Sequence, residues 1–410
     1  AGAYRITGQK IFITWGDHDM TDNVVHLVLA RLPDAPAGSR GISLFLVPKR
    51  HVAADGTLGA ANAARPVGIE HKLGIHGSPT CVMQFDGAHG ELVGEANQGL
   101  AHMFTMMNAA RLQVGTEGVA IAERAYQQAL AYALERRQGR SAWTGEAPAP
   151  IFDHPDIRRS LMLMKAKIEA ARAICLSTAV AADLAEASQD PAVRHGAQLR
   201  AELLTPIAKA WSTDIGVEVA SSALQVQGGA GFIEETGAAQ HYRDARIAPI
   251  YEGTNGIQAI DLTGRKLAAG GGQAVRDLLD EIASSVAALR DSSDASLHAV
   301  GARLEAAAGA TQTATDWMIA RRGQPDALAG ATAYLKLLGD LTGGWMLAKG
   351  ALAAAAHKGD DADRWWRTRI GLARLFAEQV LAQAPGLAEG VTAGADDLVK
   401  TTARALGAAN

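Results

Sequence analysis

Glu252 stands between an aromatic residue and a glycine in the run Tyr251-Glu252-Gly253-Thr254-Asn255-Gly256-Ile257-Gln258. A carboxylate in such a place is a general-base candidate, although read locally the segment is a helix start, where Glu252 complements the dipole and Thr254 caps the first turn. A second run, Gln227-Gly228-Gly229-Ala230-Gly231-Phe232, has glycines that would let backbone N–H groups approach a phosphate or a flavin. It follows a helical pattern rather than a strand, so it is not a dinucleotide fingerprint, and by spacing alone it reads as a helix C-cap and turn. The nearest thing to a metal-ligand set is Asp17-His18-Asp19, whose position between two strand-like runs marks a solvated turn. The chain has no G-x-S-x-G elbow, no H-E-x-x-H and no clustered Cys/His spacing, so the hydrolase and metal-site readings fail.

The elements that must position these residues fall into three blocks. Residues 1–95 carry short β runs, Tyr4–Thr7, Lys10–Thr14, Val24–Leu32, Gly41–Val47 and Cys81–Phe85, separated by Gly, Asp, Pro and Ser clusters. The stretches Pro33–Arg40 and His51–Arg65 read as surface connections between strands. Residues 96–270 turn to long Ala- and Leu-rich segments of helical period, at about 97–137, 155–188, 192–227 and 255–268, with Gly139–Pro150 as a loop. Past a Gly-rich linker, residues 271–410 give four more amphipathic segments at about 273–291, 295–322, 326–357 and 361–384. The expected class is α+β: an antiparallel β-domain, a helical bundle and an added C-terminal helical domain. The Trp365-Trp366 pair, flanked by Arg364 and Arg367, reads as packing against a neighbouring helix rather than a cation–π surface site.

Composition limits the partners. Hydrophobic residues make up 48% and charged ones 20% of 410 residues, with no apolar run near the roughly 20 residues that a bilayer span needs, so no membrane association is expected. The net charge is −4, and from Arg276 onward 14 basic face 16 acidic residues, which leaves no basic face for a nucleic acid. Cys81 and Cys175 lie far apart and fit no disulfide framework, as expected of a reducing, cytoplasmic compartment. Residue 1 is not Met and residues 1–8 read as the middle of a hairpin, so the chain is expected to be the later part of a longer protein.

The order of five segments resembles the acyl-CoA dehydrogenase family. They are Tyr4 to Thr14, Lys72 to Thr80, Tyr132 to Arg137, Gln225 to Phe232, and Arg243-Asp244-Ala245-Arg246 leading into Tyr251-Glu252-Gly253-Thr254. The wording around Ile75-His76, Met107 to Arg111 and Thr254-Asn255-Gly256, with the extra C-terminal block, is most similar to the branch containing 3-methylmercaptopropionyl-CoA dehydrogenase. The resemblance implies a β-domain, a four-helix bundle and FAD held between them. It also implies that a helical N-terminal domain and the opening strands of the β-domain precede this chain.

Carried over position by position, Glu252 matches the base that takes the α-proton of an acyl-CoA thioester, and the β-hydride goes to flavin N5. Another branch places its glutamate at the position of Ala110, and alanine cannot serve. Phe12 matches an aromatic packed on the flavin, usually Trp, and Thr14 a residue bonding near N5. Arg136, Gln138, Gln225, Gly228 and Gly229 match an FAD site completed by a neighbouring subunit, although the chain runs one residue short after Arg136. That site implies a homo-oligomer, a dimer in the first instance. Thr254 matches an FAD phosphate contact, and Asn108, Arg111, Tyr251 and Gly253 match positions lining the acyl-CoA path. The implied electron acceptor is electron-transfer flavoprotein. Two alternatives stay open at this point: an acyl-CoA oxidase using O₂, and a DNA-associated alkylation-response flavoprotein with vestigial activity, against which the balanced C-terminal charge argues.

Overall fold

The computed structural model describes residues 3–357, 359–362 and 364–408. Residues 1, 2, 358, 363, 409 and 410, which fall in the first and third predicted blocks, with 363 inside the predicted segment 361–384, lie outside the described residues. The chain divides into a unit ending at Ala110 and another starting at Arg111.

In the first unit, alternation of apolar and polar residues builds one antiparallel sheet. Its strands are β1 (Ala3–Thr14), β2 (Val25–Arg31), β3 (Ile42–Pro48), β6 (Ala64–Ile69) and β7 (Thr80–Val93), while β4 (Arg50–Val52) and β5 (Leu58–Ala61) pair with each other. The order is β1-β7-β3-β2, with β6 also on β7. One face packs Ile6, Val28, Phe45, Val47, Met83 and Phe85 into a core. The two predicted runs Tyr4–Thr7 and Lys10–Thr14 are one strand, because pairing with β7 extends from Ala3 opposite Glu91 to Thr14 opposite Thr80, interrupted only by register shifts at Ile6/Thr7 and Lys10/Ile13. His51–Arg65 is not simply a connection. It carries β5, and at Ala64-Arg65 it enters β6, where pairing with Phe85 and Gln84 of β7 overrides a composition of Ala, Pro and Gly that is poor in strand formers.

The second unit is helical. Its α-helices are α1 (Gly99–Glu135, of which the part from Arg111 belongs here), α2 (Pro155–Ala187), α3 (Pro191–Gln227), α4 (Ala238–Ala245), α5 (Asn255–Asp261), α6 (Gln273–Arg290), α7 (Ala295–Ala320), α8 (Pro325–Ala356), α9 (Trp365–Gln379), α10 (Ala384–Thr392) and α11 (Asp396–Lys400). Starts follow local chemistry: Pro155 and Pro191 occupy first helical positions, and Asp190 and Asp294 cap with carboxylates that accept from Ala192 N and Ser296 N. A continuous core runs from Val119 through Ile168, Leu203, Leu278 and Leu338 to Val391, so the later helices share the interior of α2 and α3. Trp211 marks the join. Its indole donates 2.9 Å to Asp340 Oδ1, and a Cβ on Gly339 would lie 2.4 Å from its ring. Trp366 packs against that core as predicted, whereas Trp365 is 53% exposed, with the Arg369 guanidinium 4.7 Å from its ring centre.

α1 and α3 cross closely because Gly115 and Gly118 of α1 and Gly216 of α3 give up their side chains. A Cβ on Gly115 would lie 2.4 Å from Ala208 O, and one on Gly118 would lie 2.7 Å from Ser212 O. These neighbours are backbone and cannot swing aside. Gly118→Val is therefore expected to destabilise the protein by about 1–3 kcal/mol or more, read as a lower urea midpoint at unchanged slope; an unchanged midpoint would show that the crossing is looser than described.

Candidate active site

The turn that presents Glu252 is built from the residues between α4 and α5. Tyr251 N donates to Ile247 O at 3.1 Å and Asn255 N to Pro249 O at 2.9 Å, folding the chain back on itself. Thr254 caps α5, its hydroxyl accepting from Ile257 N at 3.3 Å. In between, Glu252 takes φ 56° and Gly253 φ 85°. Glycine adopts that conformation freely, but a glutamate there carries strain of about 1–3 kcal/mol and persists only where its surroundings hold it.

The surroundings are specific. Gln258, fully buried, donates its side-chain amide to the carbonyls of Gly253 at 3.3 Å and Glu252 at 3.5 Å. A Cβ on Gly253 would lie 2.7 Å from that amide nitrogen and 3.7 Å from Arg111 Nη2, so the glycine is required by space as well as by φ. Arg111, 6% exposed, forms an ion pair with Asp261 at 3.3 Å, and Asp261 also accepts from Arg265 at 2.6 Å. The Tyr251 hydroxyl donates to Glu117 on α1. Burial, the bond to Glu117 and the charges of Glu117 and Glu252 push that phenol well above its ordinary range. Lys209 on α3, fully buried, donates 2.9 Å to Asn255 Oδ1, and the Asn255 amide donates to Ala210 O, Thr213 Oγ1 and Asp214 Oδ1 at 3.0, 3.0 and 2.8 Å.

Glu252 itself is half-buried, and its carboxylate makes no hydrogen bond or ion pair among the described residues. The backbone thus fixes the carboxylate in place while its oxygens stay open to a ligand.

The structure thus gathers Arg111, Tyr251, Glu252, Gly253 and Thr254 at one place in the second unit. Arg136 and Gln138 lie elsewhere, where α1 ends: Arg136 is exposed and without a side-chain partner among the described residues, and Gln138 N bonds Ala149 O. Gln225, Gly228 and Gly229 end α3, exposed, with open space where Cβ atoms of the two glycines would stand. Phe12, Thr14 and Asn108 belong to the first unit and are exposed. Phe12 sits at the irregularity of β1 between Lys10 and Ile13 with φ 60° and is 67% exposed, which is unusual for an aromatic at a strained position. Asp17 of the turn cluster pairs with Lys49.

Sequence reasoning missed Glu117, Lys209, Asp214, Gln258 and Asp261. One signal was available: Lys209 interrupts the apolar run Pro206-Ile207-Ala208-Lys209-Ala210-Trp211, and a lysine on a buried stripe asks for a partner.

Comparisons with known proteins bear on the whole chain. Residues 97–267 match the family described as "Acyl-CoA dehydrogenase, C-terminal domain", and residues 278–402 match "Acetyl-CoA dehydrogenase C-terminal like". The 3-methylmercaptopropionyl-CoA dehydrogenase of Ruegeria pomeroyi is 47% identical over 403 residues, covering 97% of this chain and 68% of that protein. A butyryl-CoA dehydrogenase of Syntrophomonas wolfei is 40% identical over 70% of this chain and 48% of its own length, so the chain spans from about half to about two thirds of these relatives. The crystal structure of an acyl-CoA dehydrogenase complexed with FAD from Bacillus anthracis superposes with a TM-score of 0.72 at 21% identity, over 100% of this chain and 68% of that one, a likeness of fold.

Proposed function

This chain belongs to the acyl-CoA dehydrogenase family of oxidoreductases, and on that premise we propose that it carries the catalytic centre for FAD-dependent α,β-dehydrogenation of an acyl-CoA, with Glu252 as the base. The observation that carries this reading is the Glu252 carboxylate itself: half-buried, without a hydrogen-bond or ion-pair partner among the described residues, and held at positive φ beside Gly253. The Glu252 carboxylate takes the proton from the carbon α to the thioester carbonyl. The Glu252 backbone N–H offers the carbonyl oxygen a hydrogen bond, which stabilises the enolate-like charge as the proton leaves. A hydride leaves the β-carbon with its electron pair, and the Cα–Cβ bond becomes a trans double bond.

The residues fit FAD. Phe12 offers an exposed ring at a strained position, Gly228 and Gly229 leave an open backbone cradle, and Arg136 presents an exposed planar guanidinium, unpaired among the described residues, of the kind that grips a pyrophosphate. With Thr14, Gln138, Gln225 and Thr254, these are the residues that would hold it. Bound FAD supplies the two-electron acceptor for the hydride. Asn108, Arg111, Tyr251 and Gly253 line the acyl-CoA path. Arg136 and Gln225 serve a neighbouring subunit's flavin, so the active unit is a homodimer or larger, and electrons pass on to electron-transfer flavoprotein. Among the described residues no helix is long and apolar enough to cross a membrane. The two buried free cysteines, Cys81 and Cys175, fit a cytoplasmic setting.

The name of the Ruegeria relative makes 3-methylmercaptopropionyl-CoA the first substrate to try, ahead of straight-chain fatty acyl-CoAs. With FAD-loaded protein, a panel of these thioesters is expected to reduce an artificial dye acceptor anaerobically, with no peroxide formed in air. Peroxide at the rate of substrate loss would make the protein an oxidase instead.

A further inference from the structure

Lys209 is a buried ammonium with no carboxylate in ion-pair reach among the described residues. It is fully buried on α3 and forms no ion pair among the described residues; its one hydrogen bond runs to Asn255 Oδ1. An unpaired buried charge is among the costliest features of a protein interior and is retained where it does something that packing cannot. Thr254 already caps α5, so the helix start does not need it.

Resting on the reading of Glu252 as the base, we propose that Lys209 is a positioning residue: its ammonium fixes the Asn255 side chain, and through Asn255 the turn that aims the Glu252 carboxylate. Asn255 is three residues beyond Glu252 and is tied to α3 at four points: Lys209 Nζ, Ala210 O, Thr213 Oγ1 and Asp214 Oδ1. Its backbone N–H closes the turn on Pro249 O. The two positive-φ residues, Glu252 and Gly253, are thus held from below by Gln258 and from the side by Asn255, the over-determination that strained backbone requires. Removing the ammonium frees one end of that clamp and lets the carboxylate wander.

The charges around Lys209 come from each element packed on it: Asp214 on α3, Arg111 and Glu117 on α1, and Glu252 on the turn, while Asp214 in turn faces Arg246 and Lys336. Burial pulls the ammonium down from 10.5 to about 8, against the attraction of Asp214, Glu252 and Glu117 and with the help of Arg111. Because the folded value lies below the unfolded one, the unfolded chain binds more protons between the two values, and stability from this group rises as pH rises through that window. The reductive rate moves the other way. A neutral amine holds Asn255 Oδ1 less firmly, so the rate falls as pH passes about 8.

The test is single-turnover bleaching of the FAD-loaded protein by an acyl-CoA substrate, from about pH 6 to about pH 10. Wild type is expected to lose rate above about pH 8. Lys209→Met should be about 10- to 100-fold slower across the range and lack the alkaline limb. Lys209→Arg should recover most of the rate with the limb still absent, since a guanidinium does not titrate there. Asn255→Ala, which leaves the lysine in place, should slow bleaching by a similar factor. Lys209→Met with the wild-type rate and the wild-type limb overturns the proposal; if that variant does not fold, Asn255→Ala at the wild-type rate overturns it equally. Wild-type flavin that no acyl-CoA bleaches would instead sink the dehydrogenase reading, and this proposal with it.

Discussion

Glu252→Gln is expected to leave FAD bound and the fold intact while slowing acyl-CoA-driven bleaching of the flavin by about 100- to 10,000-fold. The amide keeps the size and shape of the side chain but cannot accept the α-proton. The substitution disturbs little else, because the Glu252 carboxylate has no hydrogen-bond or ion-pair partner among the described residues, and the positive φ is held by its neighbours rather than by the side chain. On the resemblance drawn from the sequence, the alternative place for such a glutamate is Ala110, which carries no carboxylate. Flavin absorbance after anaerobic mixing reads the outcome, with flavin content and circular dichroism as controls. Wild-type bleaching in the variant would remove Glu252 from the mechanism.

Arg111→Met should be the most damaging change to stability near the site. Arg111 and Asp261 have side chains 8% and 4% exposed and lie 3.3 Å apart. Removing one partner of a buried pair costs about 3–5 kcal/mol, and the lower end applies here because Asp261 keeps Arg265. The urea midpoint should fall accordingly. Arg111 Nη2 also lies 3.7 Å from where a Gly253 Cβ would stand, so the variant should bind acyl-CoA more weakly, seen as a higher KM. An unchanged midpoint together with an unchanged KM would mean that the pair supports neither the fold nor the turn.

How far the sequence announced these features depended on distance along the chain. The helices were readable because period and boundary agree locally, as with Pro155 and the Asp190-Pro191 start of α3. β6 was not, since Ala64-Arg65-Pro66-Val67-Gly68-Ile69 becomes a strand only by pairing with β7. The same division runs through the site. Glu252, Gly253 and Thr254 are contiguous, and their spacing could be matched to a family pattern. Glu117 meets Tyr251 across 134 residues and Arg111 meets Asp261 across 150, contacts that exist only once α1, α3 and α5 have packed. Lys209 lay in plain view as a cation on an apolar stripe, but its partner Asn255 is 46 residues on.

The most direct test of the account is a stoichiometric one. FAD-loaded wild-type protein mixed anaerobically with excess 3-methylmercaptopropionyl-CoA or a straight-chain acyl-CoA should bleach and yield one trans-2-enoyl-CoA per flavin reduced, and deuterium at the α-carbon should slow the bleaching. Flavin that stays oxidised while every thioester is recovered unchanged would contradict it.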